Sequence, residues 1–141
     1  RILGDEVVRS SEVVEAERLA RLATEGCTPE GRPLYAGHSS LAYPDEPHLA
    51  LWHSLTLLRE FRGDGHIAAL VAAENDGCDA IVMHVASGEL PKAFAATRAW
   101  SETEWAASQE KLRTRGWLCA DHAITDAVHE SRRGVEGRHT P

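Results

Sequence analysis

Apolar residues return every three or four positions along most of the chain, and turn signals between the runs mark out seven predicted helices. The first covers residues 12–25, with Ser10 or Ser11 as its cap, Val14, Leu19 and Leu22 on its apolar face and Gly26 at its end. Residues 27–44 turn to Pro, Gly, Ser and Thr and read as irregular, with one short helix able to start at Pro33-Leu34-Tyr35-Ala36. Asp45-Glu46-Pro47 then launches the most apolar helix, 46–62, whose stripe is Leu51, Trp52, Leu55, Leu58 and Phe61. Gly63 is expected to break it, and Asp64 to cap a following helix over 66–75 that carries Ile67, Leu70 and Val71. After the turn signal Asn75-Asp76-Gly77, residues 78–87 repeat the helical spacing with Ile81, Val82 and Val85 and stop at Gly88. Pro91 opens a short helix over 91–98 around Phe94.

The clearest local signals lie further on. Ser101-x-x-Glu104 is a capping box, and Trp100 and Trp105 occupy the positions of a hydrophobic staple. A helix over 102–115 follows, with Lys111, Arg113 and Arg115 at the negative end of its dipole and Gly116 as a left-handed stop. Trp117 and Leu118, a polar tip at Ala120-Asp121-His122, and Ile124 before Thr125 read as a tight hairpin, and 126–133 as a last helix. The predicted fold is therefore all-α with a small β-hairpin wing, a winged helix-turn-helix preceded by a helical extension. Its expected parts are the extension (1–63), the winged domain (64–133) and a fraying tail (134–141). Trp52, Leu55, Phe61, Ile67, Leu70, Ile81, Val85, Phe94, Trp105 and Leu112 are the expected core. The start at Arg1, inside what reads as the end of a helix, predicts a missing N-terminal part.

Composition narrows the function. A net charge of −7 argues against a broadly basic nucleic-acid surface or binding to an anionic membrane. Three widely spaced cysteines, Cys27, Cys78 and Cys119, do not make a disulfide framework, so a cytoplasmic setting is expected. No apolar run has the length of a membrane span, and no membrane partner is expected.

With these residues in view, the block from Leu51 to Leu70 resembles the actinobacterial SalK-type helix-turn-helix proteins, most specifically from Arg59 to Leu70. Gly31-Arg32-Pro33-Leu34, Pro44 to His48, Trp100 to Trp105 and Arg115-Gly116-Trp117-Leu118 extend the resemblance over nearly the whole chain. The C-terminal half is similar in layout to MarR-type winged helices, in which the helix before the wing enters the major groove. The chain departs from that pattern in two ways. Ile124-Thr125-Asp126-Ala127-Val128 lacks the glycine that often closes the wing, and the short helix 91–98 is inserted ahead of the recognition helix. The resemblance implies the fold and a regulatory label.

Double-stranded DNA is accordingly the first partner to weigh, through Thr103, Ser108, Gln109, Lys111 and Arg113 on the recognition helix and a wing touching the phosphate backbone. Against it stand Glu102, Glu104 and Glu110 on the same helix, and 8 Lys/Arg against 12 Asp/Glu from Asp64 onward. The alternative is a biosynthesis-associated ligand-binding or accessory protein that keeps the scaffold without touching DNA. Its small-molecule ligand would lie near Trp52, His53, Arg59, Arg62 and His66, in a pocket between helix 46–62 and the helices after Asp64. A homodimer is the remaining partner the sequence leaves open. No cofactor is expected, and Cys119-x-x-His122 with His129 is the only local arrangement worth asking about for a metal. Nucleophile elbows, phosphate loops and paired carboxylates are absent, so no catalytic residue is assigned. A catalytic part completed by another segment is the third reading.

Overall fold

The computed structural model describes residues 4–126 and residue 128. It is mainly helical and divides into two compact units, Arg1–Ala72 and Ala73–Pro141. The first unit holds α1 (Asp5–Val8), α2 (Ser11–Thr24), α3 (Pro33–Ser39) and α4 (Pro47–Ala72). The second holds α5 (Gly77–Ala86), a 3₁₀ helix (Lys92–Arg98) and α6 (Glu102–Thr114).

The largest correction concerns α4. Gly63 does not break it, and the two helices expected at 46–62 and 66–75 are one rod of 26 residues. The expected boundary at Gly63/Asp64 falls inside that rod. Asp64 caps a helix, but a different one: its Oδ2 accepts from the Tyr35 amide at 2.9 Å, satisfying one of the orphan donors in the first turn of α3. Arg32, just ahead of α3, lies over the Phe61 ring at 3.7 Å and donates from Nη1 to the Phe61 carbonyl. Gly65 makes room for this, since a Cβ there would stand 2.5 Å from Arg32 Nη1. A mid-helix glycine costs about 1 kcal/mol in propensity. Docking of α3 on this stretch offsets it.

The burial pattern of this unit inverts the expected one. α4 packs on α2 and α3 through Ala50, Ser54, Leu57, Glu60 and Asp64, all buried. These recur at three- and four-residue steps, so they form one face, made mostly of small and polar side chains. Trp52, Leu55 and Ile67, expected in the core, lie on the other side, with Trp52 73% exposed. On α2 the deepest residue is Ala20, while Val14, Leu19 and Leu22 are exposed. Small contact residues let helix axes approach closely, so this unit closes around few large side chains, chiefly Leu57 and Tyr35.

The second unit is built in the conventional sense. Asp76 caps α5 in a capping box with Asp79, a cap the turn signal at Asn75-Asp76-Gly77 announces without assigning. Cys78, Val82, Leu112 and Leu118 form the buried core, with Trp105, Trp117 and Ile124 packed against it. Ile81 and Val85, expected as core, are half-buried, and the deep face of α5 is the adjacent one through Cys78 and Val82. The inserted segment forms a 3₁₀ rather than an α-helix. α6 keeps its expected cap: Ser101 Oγ accepts from the Glu104 amide at 3.2 Å, and Glu104 Oε2 from the Ser101 amide at 2.8 Å. Gly116, at φ 71, ends it as expected.

The hairpin is much reduced. Among the described residues there is no strand, only a single antiparallel bridge between Leu118 and Ile124. Cys119 N donates to Ala123 O at 2.8 Å and Thr125 N to Trp117 O at 3.1 Å, around a tip where His122 takes φ 66. Leu118 turns inward and Cys119 outward. Asp126 and Val128 are helical. The rest of the expected helix 126–133 and the tail 134–141 lie outside the described residues.

Candidate nucleic-acid interface

α6 is positioned by a polar clasp at its foot. Ser108, on its inner face, donates to Asp79 Oδ1 at 2.5 Å, and Lys111 Nζ donates to Asp79 Oδ2 at 2.6 Å and to the Glu74 carbonyl at 2.7 Å. Asp79 is only 1% exposed. Burial pushes its carboxyl up, but the bonds from Lys111, Ser108 and the Asp76 amide, with the charge of Lys111, outweigh that and hold it below the ordinary aspartate range. Burial also raises the Cys78 thiol, which keeps it protonated and inert. A hydrogen bond from the Ser101 hydroxyl keeps the exposed Glu104 carboxyl below its ordinary value.

The clasp divides the five expected DNA-contact residues. Ser108 is buried and Lys111 is held against Asp79 and Glu74, so neither faces outward as the sequence reading required. Arg113 pairs with Glu110 one turn back. Thr103 is exposed and Gln109 half-exposed. The outward face of α6 thus runs through Thr103, Ala106, Ala107 and Glu110, with Gln109 and Arg113 on its flank.

Cations that reach solvent sit mostly elsewhere. Lys92 and Arg98 are exposed on the 3₁₀ helix that leads into α6, Arg98 lying over the Phe94 ring at 4.6 Å. Arg115 donates to Asn75 Oδ1 at 3.0 Å and stacks on Trp117. Arg132 and Arg133 fall outside the described residues. Within the described part of this unit, five Lys/Arg stand against nine Asp/Glu, so any phosphate contact depends on local placement and not on net charge.

The five expected ligand residues are not gathered around a cleft. With α4 unbroken, the helix expected at 66–75 continues the 46–62 rod and cannot face it as a wall. Trp52, Arg59, Arg62 and His66 are exposed along the outer side of the rod. His53 is turned toward Tyr43, ring to ring at 4.6 Å, and its Nε2 is buried. Arg59 pairs with Glu60. His84 is half-exposed and meets Glu89 at 2.6 Å. Among the described residues no three His, Cys, Asp or Glu side chains are grouped to hold a metal, and His129 lies outside them. No described helix is long and apolar enough to cross a membrane.

The second unit thus runs α5, a short 3₁₀ segment, α6 and a bridged turn. The chain matches the model of a helix-turn-helix family over residues 1–140, and it belongs to that family. No curated protein and no solved structure matches it.

Proposed function

We propose that the protein is a DNA-binding regulator of the SalK type, with a MarR-like winged plan in its second unit. The observation that carries this reading is the family match over residues 1–140, taken with the outward placement of Thr103 on a capped, braced helix. In this reading Thr103 and Gln109 meet base edges and Arg113 joins them after leaving Glu110. Lys92 and Arg98, at the entrance to α6, supply the phosphate contacts. Ser108 and Lys111 hold the helix at its angle through Asp79.

A second reading is favoured by one observation: the cations of α6 are already answered by carboxylates, Lys111 by Asp79 and Arg113 by Glu110. In that case the scaffold serves as an accessory module without DNA contact.

Fluorescence anisotropy against random duplex DNA, at low and at physiological salt, separates the two. The regulator reading expects binding that weakens steeply with salt, and a shallower slope in a Lys92→Ala/Arg98→Ala variant. No binding at low salt overturns it.

A further inference from the structure

We infer that α4 is a two-state helix hinged at Gly63, with the Asp64 carboxylate as its switch. In the observed state that carboxylate caps α3, and the rod is continuous from Pro47 to Ala72. In the second state α3 lets go, α4 parts at Gly63, and the same carboxylate caps residues 65–72 as a helix of their own.

The two uses of Asp64 exclude each other. A capping side chain accepts from the amides two or three residues further on, here those of His66 and Ile67. In a continuous helix both are already bonded, to the carbonyls of Arg62 and Gly63, which leaves the carboxylate to reach another helix. Its Oδ2 does so, accepting from the Tyr35 amide at 2.9 Å, and Asp64 is buried there. Parting the rod at Gly63 takes those carbonyls away from His66 and Ile67, and Asp64 is the side chain placed to replace them.

The other new end is provided for as well. A break strips the carbonyls of the last turn before Gly63 of their partners, and Arg32 Nη1 already donates to one of them, that of Phe61. Gly63 is the residue type that closes a helix in the left-handed conformation. Nothing in the continuous rod requires it, since a Cβ there would meet only Glu60 Oε2, at 3.9 Å. Gly65, by contrast, is accounted for by Arg32. The glycine without a packing role is thus the one the second state uses. What holds the first state is the seating of α3 through Tyr35, which is buried and edge-on to Phe61 at 5.4 Å. Residues 66–72 lead on toward Gly77 and α5, so the hinge sets the direction in which the chain leaves the first unit.

Spin labels on Leu49→Cys and Val71→Cys, both at exposed positions, report the length of α4 in the full chain with Cys27→Ser and Cys119→Ser; Cys78 is buried. A continuous helix sets the two backbone positions about 33 Å apart, and double electron–electron resonance is expected to give one distance of that order. Tyr35→Ala, which unseats α3, is expected to add a second, shorter distance. Adding Asp64→Ala should remove most of the short population, while adding Asp64→Asn, an equally good cap, should keep it. A single long distance in Tyr35→Ala, with helical circular dichroism unchanged, overturns the inference. So does a short population that Asp64→Ala leaves undiminished, because the bend then owes nothing to the cap. Should Tyr35→Ala fail to fold, Pro33→Gly, at an exposed position in the first turn of α3, takes its place under the same two criteria.

Discussion

The two units of this chain solve the same burial problem in opposite ways. The second puts Val82, Leu112 and Leu118 inside and ties the surrounding helices with a buried carboxylate. The first closes on Leu57, Tyr35, alanine, serine and a capping aspartate and keeps most of its large side chains outside. Of the twelve large hydrophobic residues that stand exposed among the described positions, eleven precede residue 73, Trp100 being the exception. Buried area stabilises in proportion to what leaves water, so the first unit holds much of its hydrophobic stabilisation in reserve. The second has already used its own. A helix layer with one face satisfied and one face apolar is stable enough to exist and still gains by being covered.

Paired substitutions put this contrast to the test. The largest effect is expected at Leu112, which has no exposure. Leu112→Ala should cost about 3–4 kcal/mol in urea unfolding through lost transfer energy and a cavity. Trp52→Ala, a bigger truncation on paper, should change the unfolding free energy of the single chain by less than about 0.5 kcal/mol. Comparable losses at the two sites would erase the difference between the units.

Next in size is the clasp. Asp79→Ala leaves Lys111 and Ser108 without their partner and should cost about 2–3 kcal/mol, the half-exposed Lys111 keeping it below the full buried-pair range. The same bond makes the second unit acid-sensitive. Because the folded carboxyl is held below its ordinary value of 3.8, its contribution is complete above that value and is lost as pH falls through the lower, folded one. Thermal melts below pH 4 should therefore lose stability in the wild type beyond what Asp79→Asn loses over the same range.

The smallest effects should differ in sign within two residues. Gly65→Ala pushes a methyl against Arg32 and should cost about 1–2 kcal/mol, as overpacking does. Gly63→Ala meets no neighbour closer than 3.9 Å and should stabilise the single chain by about 0.5–1 kcal/mol, the propensity gain of alanine over glycine. Equal effects at the two positions would remove the tertiary account given for Gly65.

What could be read from the sequence follows how local each determinant is. The cap, body and stop of α6 are written within a few residues of one another, in Ser101, Glu104 and Gly116, and the structure reproduces them. The continuity of α4 could not be read that way. Gly63-Asp64-Gly65 carries every mark of a break, and what overrides it are Arg32 and the Tyr35 amide, about thirty positions upstream. The apolar stripe of α4 was visible, but its direction was not, because a periodic face looks the same whether it meets its own chain or something else. Two of the five candidate DNA-contact residues turn inward for a related reason. Ser108 and Lys111 sit at plausible positions on the helix, and only their distant partner Asp79 removes them from its outer face. A buried aspartate accepting from two side chains leaves no periodic signature; Asp79 in the third position after a cap was the one available hint.

The carboxylate of Asp64 reaching the first turn of α3 has a consequence for the order of events in time. α3 has only seven residues, and no cap of its own side chain closes its start. Its first amides are therefore secured only when the middle of α4 is already wound, and an opening of α4 near Asp64 releases both at once. In hydrogen exchange the Tyr35 amide should trade its proton in step with the central amides of α4 and not with its own neighbours in the loop before it.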